Sequence, residues 1–217
     1  MGWLRRLLLL EEEPEVPEPA RTSVAGALAC FLLLIDHSGS MRRKDFSPSR
    51  ILAAVNAGRA VTDYLFKVAP SSLIGVGTFA DRFHCCTQPV EVGSSADRIR
   101  SSLQNLGKSG ATEMARGLAG IHKMLKCCPP QSRRVVMMLT DGQNTGRNPL
   151  PEAGRIKEGG AEFWAIGIGG SPDAVDEELL RKMVSEPSQY SFIGNWEGPD
   201  ALAASMVRIA RLTLIED

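Results

Sequence analysis

The sequence is short of most features that announce a function. It carries no net charge, because 25 lysines and arginines balance 25 aspartates and glutamates. That removes the global basic field needed to hold nucleic acid or an anionic membrane. No apolar run approaches the roughly 20 residues of a membrane helix. The amino-terminal "MGWLRRLLLL" breaks at Glu11, short of the about 7–15 apolar residues of a secretory signal. It reads as a short amphipathic arm, and the expected location is cytoplasmic. There are only five cysteines: Cys30 and the adjacent pairs Cys85–Cys86 and Cys127–Cys128. An odd count speaks against a disulfide framework, and the absence of Cys-x-x-Cys spacing speaks against zinc, so reduced thiols are expected. The three histidines are isolated. There is no Gly-x-Ser-x-Gly for a serine hydrolase and no complete Gly-x-Gly-x-x-Gly at a first strand for a dinucleotide.

What is present suits one domain. The 217 residues are 43% hydrophobic, enough for a real core. Residues 11–19, "EEEPEVPEP", hold five glutamates and three prolines. Mutual repulsion and missing backbone donors predict an extended tether there. Residues 1–21 are therefore an arm and an acidic, proline-rich linker, and 22–217 are the domain.

Within the domain, apolar runs alternate with helical patterns. "ALACFLLLID" is a continuous apolar strand, as expected when both sheet faces are covered. A helix is predicted over about 48–68, with Ile51, Val55, Gly58, Thr62, Leu65 and Val68 at helical spacing. "SLIGVGTFA" and "RFHCCTQPVEV" form two strands close enough for a hairpin. Helices follow over 96–106 and from Thr112, where Met114, Leu118, Ile121 and Leu125 share a face. "RRVVMMLTDG" is a strand, 150–159 a helix, "EFWAIGIG" a strand, 174–185 a helix, "SQYSFIG" the last strand and 199–214 the closing helix. The glycines after "EFWAIGIG" release a strand end. This order predicts an α/β fold: a three-layer α/β/α sandwich around a mostly parallel, Rossmann-like sheet with one antiparallel edge strand.

In such a sheet, ligands collect beyond the carboxyl ends of the strands, where the strand order reverses. Two strands end there in acid, at Asp36 and Asp141. "GKSGATEM" brings Thr112 to a loop–helix junction. Asp36, Ser38 and Ser40 are spaced by two, so an extended segment would point all three one way, with Gly39 allowing a tight turn. The five oxygen side chains, Asp36, Ser38, Ser40, Thr112 and Asp141, include no sulfur or imidazole. Such a set suits Mg²⁺, or Mn²⁺ or Ca²⁺, rather than zinc. Only two of the five are charged, so a divalent ion would keep much of its positive charge. Magnesium takes six ligands, leaving a position for a carboxylate from a protein partner. His37 lies inside this loop, at a position that should point away from the ion.

Asp-x-Ser-x-Ser after an apolar strand, the threonine of "GAT" and the aspartate of "LTDG" resemble the von Willebrand factor A domain family over about residues 22–217. The resemblance implies that the five residues form a metal-ion-dependent adhesion site. It also implies divalent-metal-assisted protein binding, without enzymatic activity, as a subunit or adaptor of a larger assembly. "DHSGSM" resembles the bacterial and intracellular members. The alternative is a phosphoester hydrolase of haloacid dehalogenase type in the same pocket, although position 38 holds serine where that chemistry uses a second carboxylate. Two features flank the site. Arg42, Arg43 and Lys44 form either a solvated loop or a positive rim that steers an acidic partner. Glu11, Glu12, Glu13, Glu15 and Glu18 are carboxylates that could occupy the open metal position of this chain or of a neighbour.

Overall fold

The computed structural model describes residues 29–107, 109–198 and 200–215. The arm, the acidic linker and the start of the domain, 1–28, lie outside the described residues. Among the described residues, no helix is long and apolar enough to cross a membrane.

The strands are β1 (Ala29–Asp36), β2 (Leu73–Phe79), β3 (Phe83–Glu91), β4 (Arg133–Thr140), β5 (Ala161–Gly169) and β6 (Tyr190–Gly194). The helices are α1 (Arg50–Val68), α2 (Val92–Ser102), α3 (Met114–Leu125), α4 (Leu150–Glu158), α5 (Glu177–Met183) and α6 (Ala201–Leu214). They follow the predicted order. The sheet runs β3-β2-β1-β4-β5-β6. Every pairing is parallel except β2–β3, which places the antiparallel strand at the edge.

The apolar run of β1 is buried along its whole length because the strand is covered on both faces. Its residues alternate between two cores. Phe31, Leu33 and Ile35 join α1, α2 and α6 on one side. Leu32 and Leu34 join α3, α4 and α5 on the other. β4 divides in the same way, with Val135, Met137 and Leu139 on the first side and Val136 and Met138 on the second.

Three local expectations change. Helix α1 begins at Arg50, because the Ser49 side chain accepts from the Leu52 amide at 3.3 Å and caps it. Ser49→Ala should cost about 1 kcal/mol in urea denaturation, and an unchanged midpoint would contradict the cap. Helix α2 starts at Val92, directly from β3, four residues before the apolar spacing suggested. The expectation of five reduced cysteines is also corrected. Cys30 and Cys128 form a disulfide with a Cα–Cα distance of 6.1 Å. The end of α3 returns the chain to the start of β1, and a separation of 98 residues hides this in the sequence. Cys85, Cys86 and Cys127 remain free thiols.

Candidate metal centre

The strand order reverses between β1 and β4, so their carboxyl ends open the crevice where this fold class places ligands. Asp36 closes β1 and Asp141 follows β4; both are fully buried. Gly142 sits at φ +77°, a left-handed conformation that turns the chain away at once and leaves Asp141 at the strand tip.

Asp36 is held from two sides. Its Oδ1 accepts from the Ser38 amide at 2.7 Å, and its Oδ2 accepts from the Thr140 hydroxyl at 2.7 Å. That hydroxyl in turn accepts from the Gly142 amide at 2.9 Å. Burial, and then the charge of Asp141, push the Asp36 carboxyl up to about 6, against the bonds from Ser38 and Thr140. Thr140 is a residue that sequence reasoning missed, although it stands next to Asp141 at a strand end.

The serines converge with Asp36 for a different reason from the one expected. The segment is not extended: Gly39–Arg42 is a turn of 3₁₀ helix. That turn brings the Ser38 and Ser40 hydroxyls within 3.0 Å of each other. Nor does steric crowding require Gly39, because a Cβ there would meet nothing within 4 Å. His37 points away, as expected. Its amide bonds to the Phe79 carbonyl at 2.7 Å and its Nδ1 lies 3.1 Å from the Leu106 carbonyl. Burial holds its pKa below the ordinary histidine value.

Thr112 is buried and reaches the same crevice through backbone tethers. The Gly39 amide donates to Gly110 O at 3.1 Å, joining the serine loop to the Thr112 loop. The Thr145 amide donates to Thr112 O at 3.0 Å, and the Thr112 amide donates to the Thr145 hydroxyl at 3.0 Å. Asn144 Oδ1 accepts from the Met114 amide at the start of α3. The three loops are therefore stitched into one rim.

A second missed residue is Arg50. A cation in the first turn of a helix opposes the helix dipole, and that misplacement is the signal in the sequence. Its guanidinium is almost wholly buried and donates from Nη1 to Asp141 Oδ2 at 3.0 Å. It also grips Asp45 with two hydrogen bonds, one of them 2.9 Å from Nε, which hold the Asp45 carboxyl below its usual range. A side chain at Gly170 would put its Cβ 3.0 Å from Asp45 Oδ2. The glycines after β5 thus give this pair room.

The residues fit a hard divalent cation. Asp141 Oδ1 is buried with no hydrogen-bond partner among the described residues, and a buried carboxylate oxygen is costly unless something satisfies it. Asp36 is near enough for the charge of Asp141 to push its carboxyl up, and the Ser38 and Ser40 hydroxyls adjoin each other in the loop that follows Asp36. The candidate donors Asp36, Ser38, Ser40, Thr112 and Asp141 are all hard oxygens, a set whose chemistry suits magnesium, manganese or calcium; among the described residues no three His, Cys, Asp or Glu side chains cluster.

The sequence pattern of the von Willebrand factor type A domain matches residues 31–143. No curated protein in the comparison matches the chain. Among solved structures, the chain is similar to the pilus adhesin SpaC from Lactobacillus rhamnosus GG, with TM-score 0.72 and 16% identity over 86% of this chain and 30% of that one. It is similar to a von Willebrand factor type A protein from Catenulispora acidiphila, with TM-score 0.71 and 21% identity over 87% and 43%. It is also similar to BatB from Bacteroides thetaiotaomicron, with TM-score 0.65 and 18% identity over 85% and 98%. The chain spans less than half the length of the first two. At these identities the likeness concerns the fold.

Proposed function

The chain belongs to the von Willebrand factor type A domain family, and from that premise we propose that it is a divalent-metal-dependent protein-binding module. Domains of this family are generally protein-interaction modules and typically not catalytic. In this reading Asp36, Ser38, Ser40, Thr112 and Asp141 hold Mg²⁺, or Mn²⁺ or Ca²⁺, directly or through water. The protein serves as an adaptor or subunit of a larger assembly.

The observation that carries the reading is the unpartnered, buried Asp141 Oδ1 beside the buried Asp36. Two carboxylates at the switch point of the sheet, one of them already pushed up in pKa by burial and by the other's charge, form a site that a cation would relieve. A bound ion would offer a remaining coordination position to a partner's carboxylate. The chain's own residues orient the site: Ser38 and Thr140 fix Asp36, and Arg50 fixes one oxygen of Asp141.

Mg²⁺ should bind the isolated protein in a calorimetric titration. A partner captured from an extract of the source organism should be lost with EDTA, and lost with Asp36→Ala in the presence of Mg²⁺. Turnover of generic phosphoesters without metal-dependent capture would instead favour the hydrolase reading. That alternative lacks a second carboxylate at position 38, where the general acid or base would stand.

A further inference from the structure

Arg50 is an unusual neighbour for a cation site. It is among the largest fully buried side chains described, and its positive charge touches one of the two carboxylates proposed to hold a metal. Taking two charges out of water can cost as much as their attraction returns, so stability alone is a poor reason for a buried ion pair. Two further facts define what the pair does. Arg50 takes only Oδ2 of Asp141, and the other oxygen is buried and unpartnered among the described residues. Asp45, with its side chain about one-third exposed, grips the same guanidinium from the side away from Asp141. The charges therefore lie in a row: Asp45 negative, Arg50 positive, Asp141 negative, then the proposed ion.

We infer that Arg50, held by Asp45, is a built-in counter-charge that takes one oxygen of Asp141 and keeps the site's own metal affinity low, so that a partner's carboxylate is needed to complete it. The inference rests on the metal-binding reading above and deepens it. The guanidinium cancels much of Asp141's charge as seen by the ion, while fixing that carboxylate with its free oxygen turned away from Arg50. Metal and partner then bind with positive coupling, because each supplies what the other lacks. Asp45 tunes the device from outside by drawing the guanidinium's charge away from Asp141.

The design predicts opposite signs for two variants, which a merely structural role would not. Mg²⁺ affinity is measured by calorimetry, and Mn²⁺ affinity by electron paramagnetic resonance, on the isolated full chain without partner. Arg50→Gln should bind about tenfold more tightly than the wild type, because a cation beside the site is gone. Arg50→Lys, which keeps the charge, should stay near the wild type. Asp45→Asn should bind several-fold more weakly. Asp45 is partly exposed, so its variant decides the matter even where Arg50→Gln does not fold. Weaker binding by Arg50→Gln and Arg50→Lys alike, or an Asp45→Asn affinity equal to or above wild type, would overturn the counter-charge. No metal binding by the wild type or by any variant at tens of millimolar would instead sink the metal-binding reading itself.

Discussion

Stripped of divalent ions, the wild type should lose stability relative to Asp36→Asn as the pH rises from about 4 to about 6. Asp36 is the cause. Its carboxyl lies at about 6 in the folded chain and at 3.8 in the reference state, because of burial first and the charge of Asp141 second. Between those values the folded state holds a proton that the unfolded state has released. The stabilisation from that proton is complete below the lower value and is lost as the pH passes the upper one. The difference amounts to about 3 kcal/mol, a large share of a typical domain's stability. A bound cation favours the ionised carboxylate, so Mg²⁺ should restore the loss at pH 7 and do little at pH 4.5. Urea denaturation at several pH values, with and without Mg²⁺, reads both effects. Asp45 pulls in the opposite direction, since its depressed carboxyl favours the fold at higher pH. The informative quantity is therefore the difference between the wild type and Asp36→Asn. The variant lacks the titrating group and should show neither the loss nor the Mg²⁺ rescue. Parallel pH profiles for the two proteins would remove Asp36 from this role.

Replacing Gly120 with alanine should be the most damaging single-methyl change in the described helices. Helix α3 approaches the sheet through two glycines one turn apart. A Cβ on Gly117 would lie 2.7 Å from Phe79 Cγ, and a Cβ on Gly120 would overlap the root of the Phe83 ring. Phe79 is buried at the end of β2, and Phe83 opens β3. Alanine gains up to about 1 kcal/mol of helix propensity over glycine. Forcing a methyl against the base of a ring costs about 1–3 kcal/mol or more. The clash wins, because the ring's attachment point cannot swing aside as its tip could. Destabilisation of about 2 kcal/mol is expected. Phe83→Ala should absorb most of the added cost in a double-mutant cycle, giving strong coupling. Because Thr112 stands two residues before α3, a displaced helix should also weaken Mg²⁺ binding. Additive effects of Gly120→Ala and Phe83→Ala would show that the helix does not rest on this contact.

The parts of the fold that were legible share a local origin. The all-apolar β1 announced a strand covered on both faces, and the short link between Phe79 and Phe83 announced the one antiparallel pairing. The proximity of Asp36 to Asp141 followed from each standing at the end of an apolar strand. What stayed hidden depends on distant meetings. The Arg50–Asp141 bond spans 91 residues and the Thr140–Asp36 bond 104. The Cys30–Cys128 disulfide needs α3 to return the chain to the start of β1. The serine pair was found by spacing but explained wrongly, since a 3₁₀ turn, not an extended strand, gathers the hydroxyls.

The place of β1 in the sheet has a consequence for the newborn chain. Strands β1, β2 and β3 are consecutive in sequence and can pair as soon as they are made. The other side of β1 must wait for β4, about a hundred residues later. Until Arg133–Thr140 is synthesised, "ACFLLLID" offers an open hydrogen-bonding edge on an almost wholly apolar strand, which is the kind of surface that seeds aggregation. One of the two central strands of the finished sheet is thus left open during synthesis, and arrival of the strand that leads to Asp141 both closes that edge and completes the crevice.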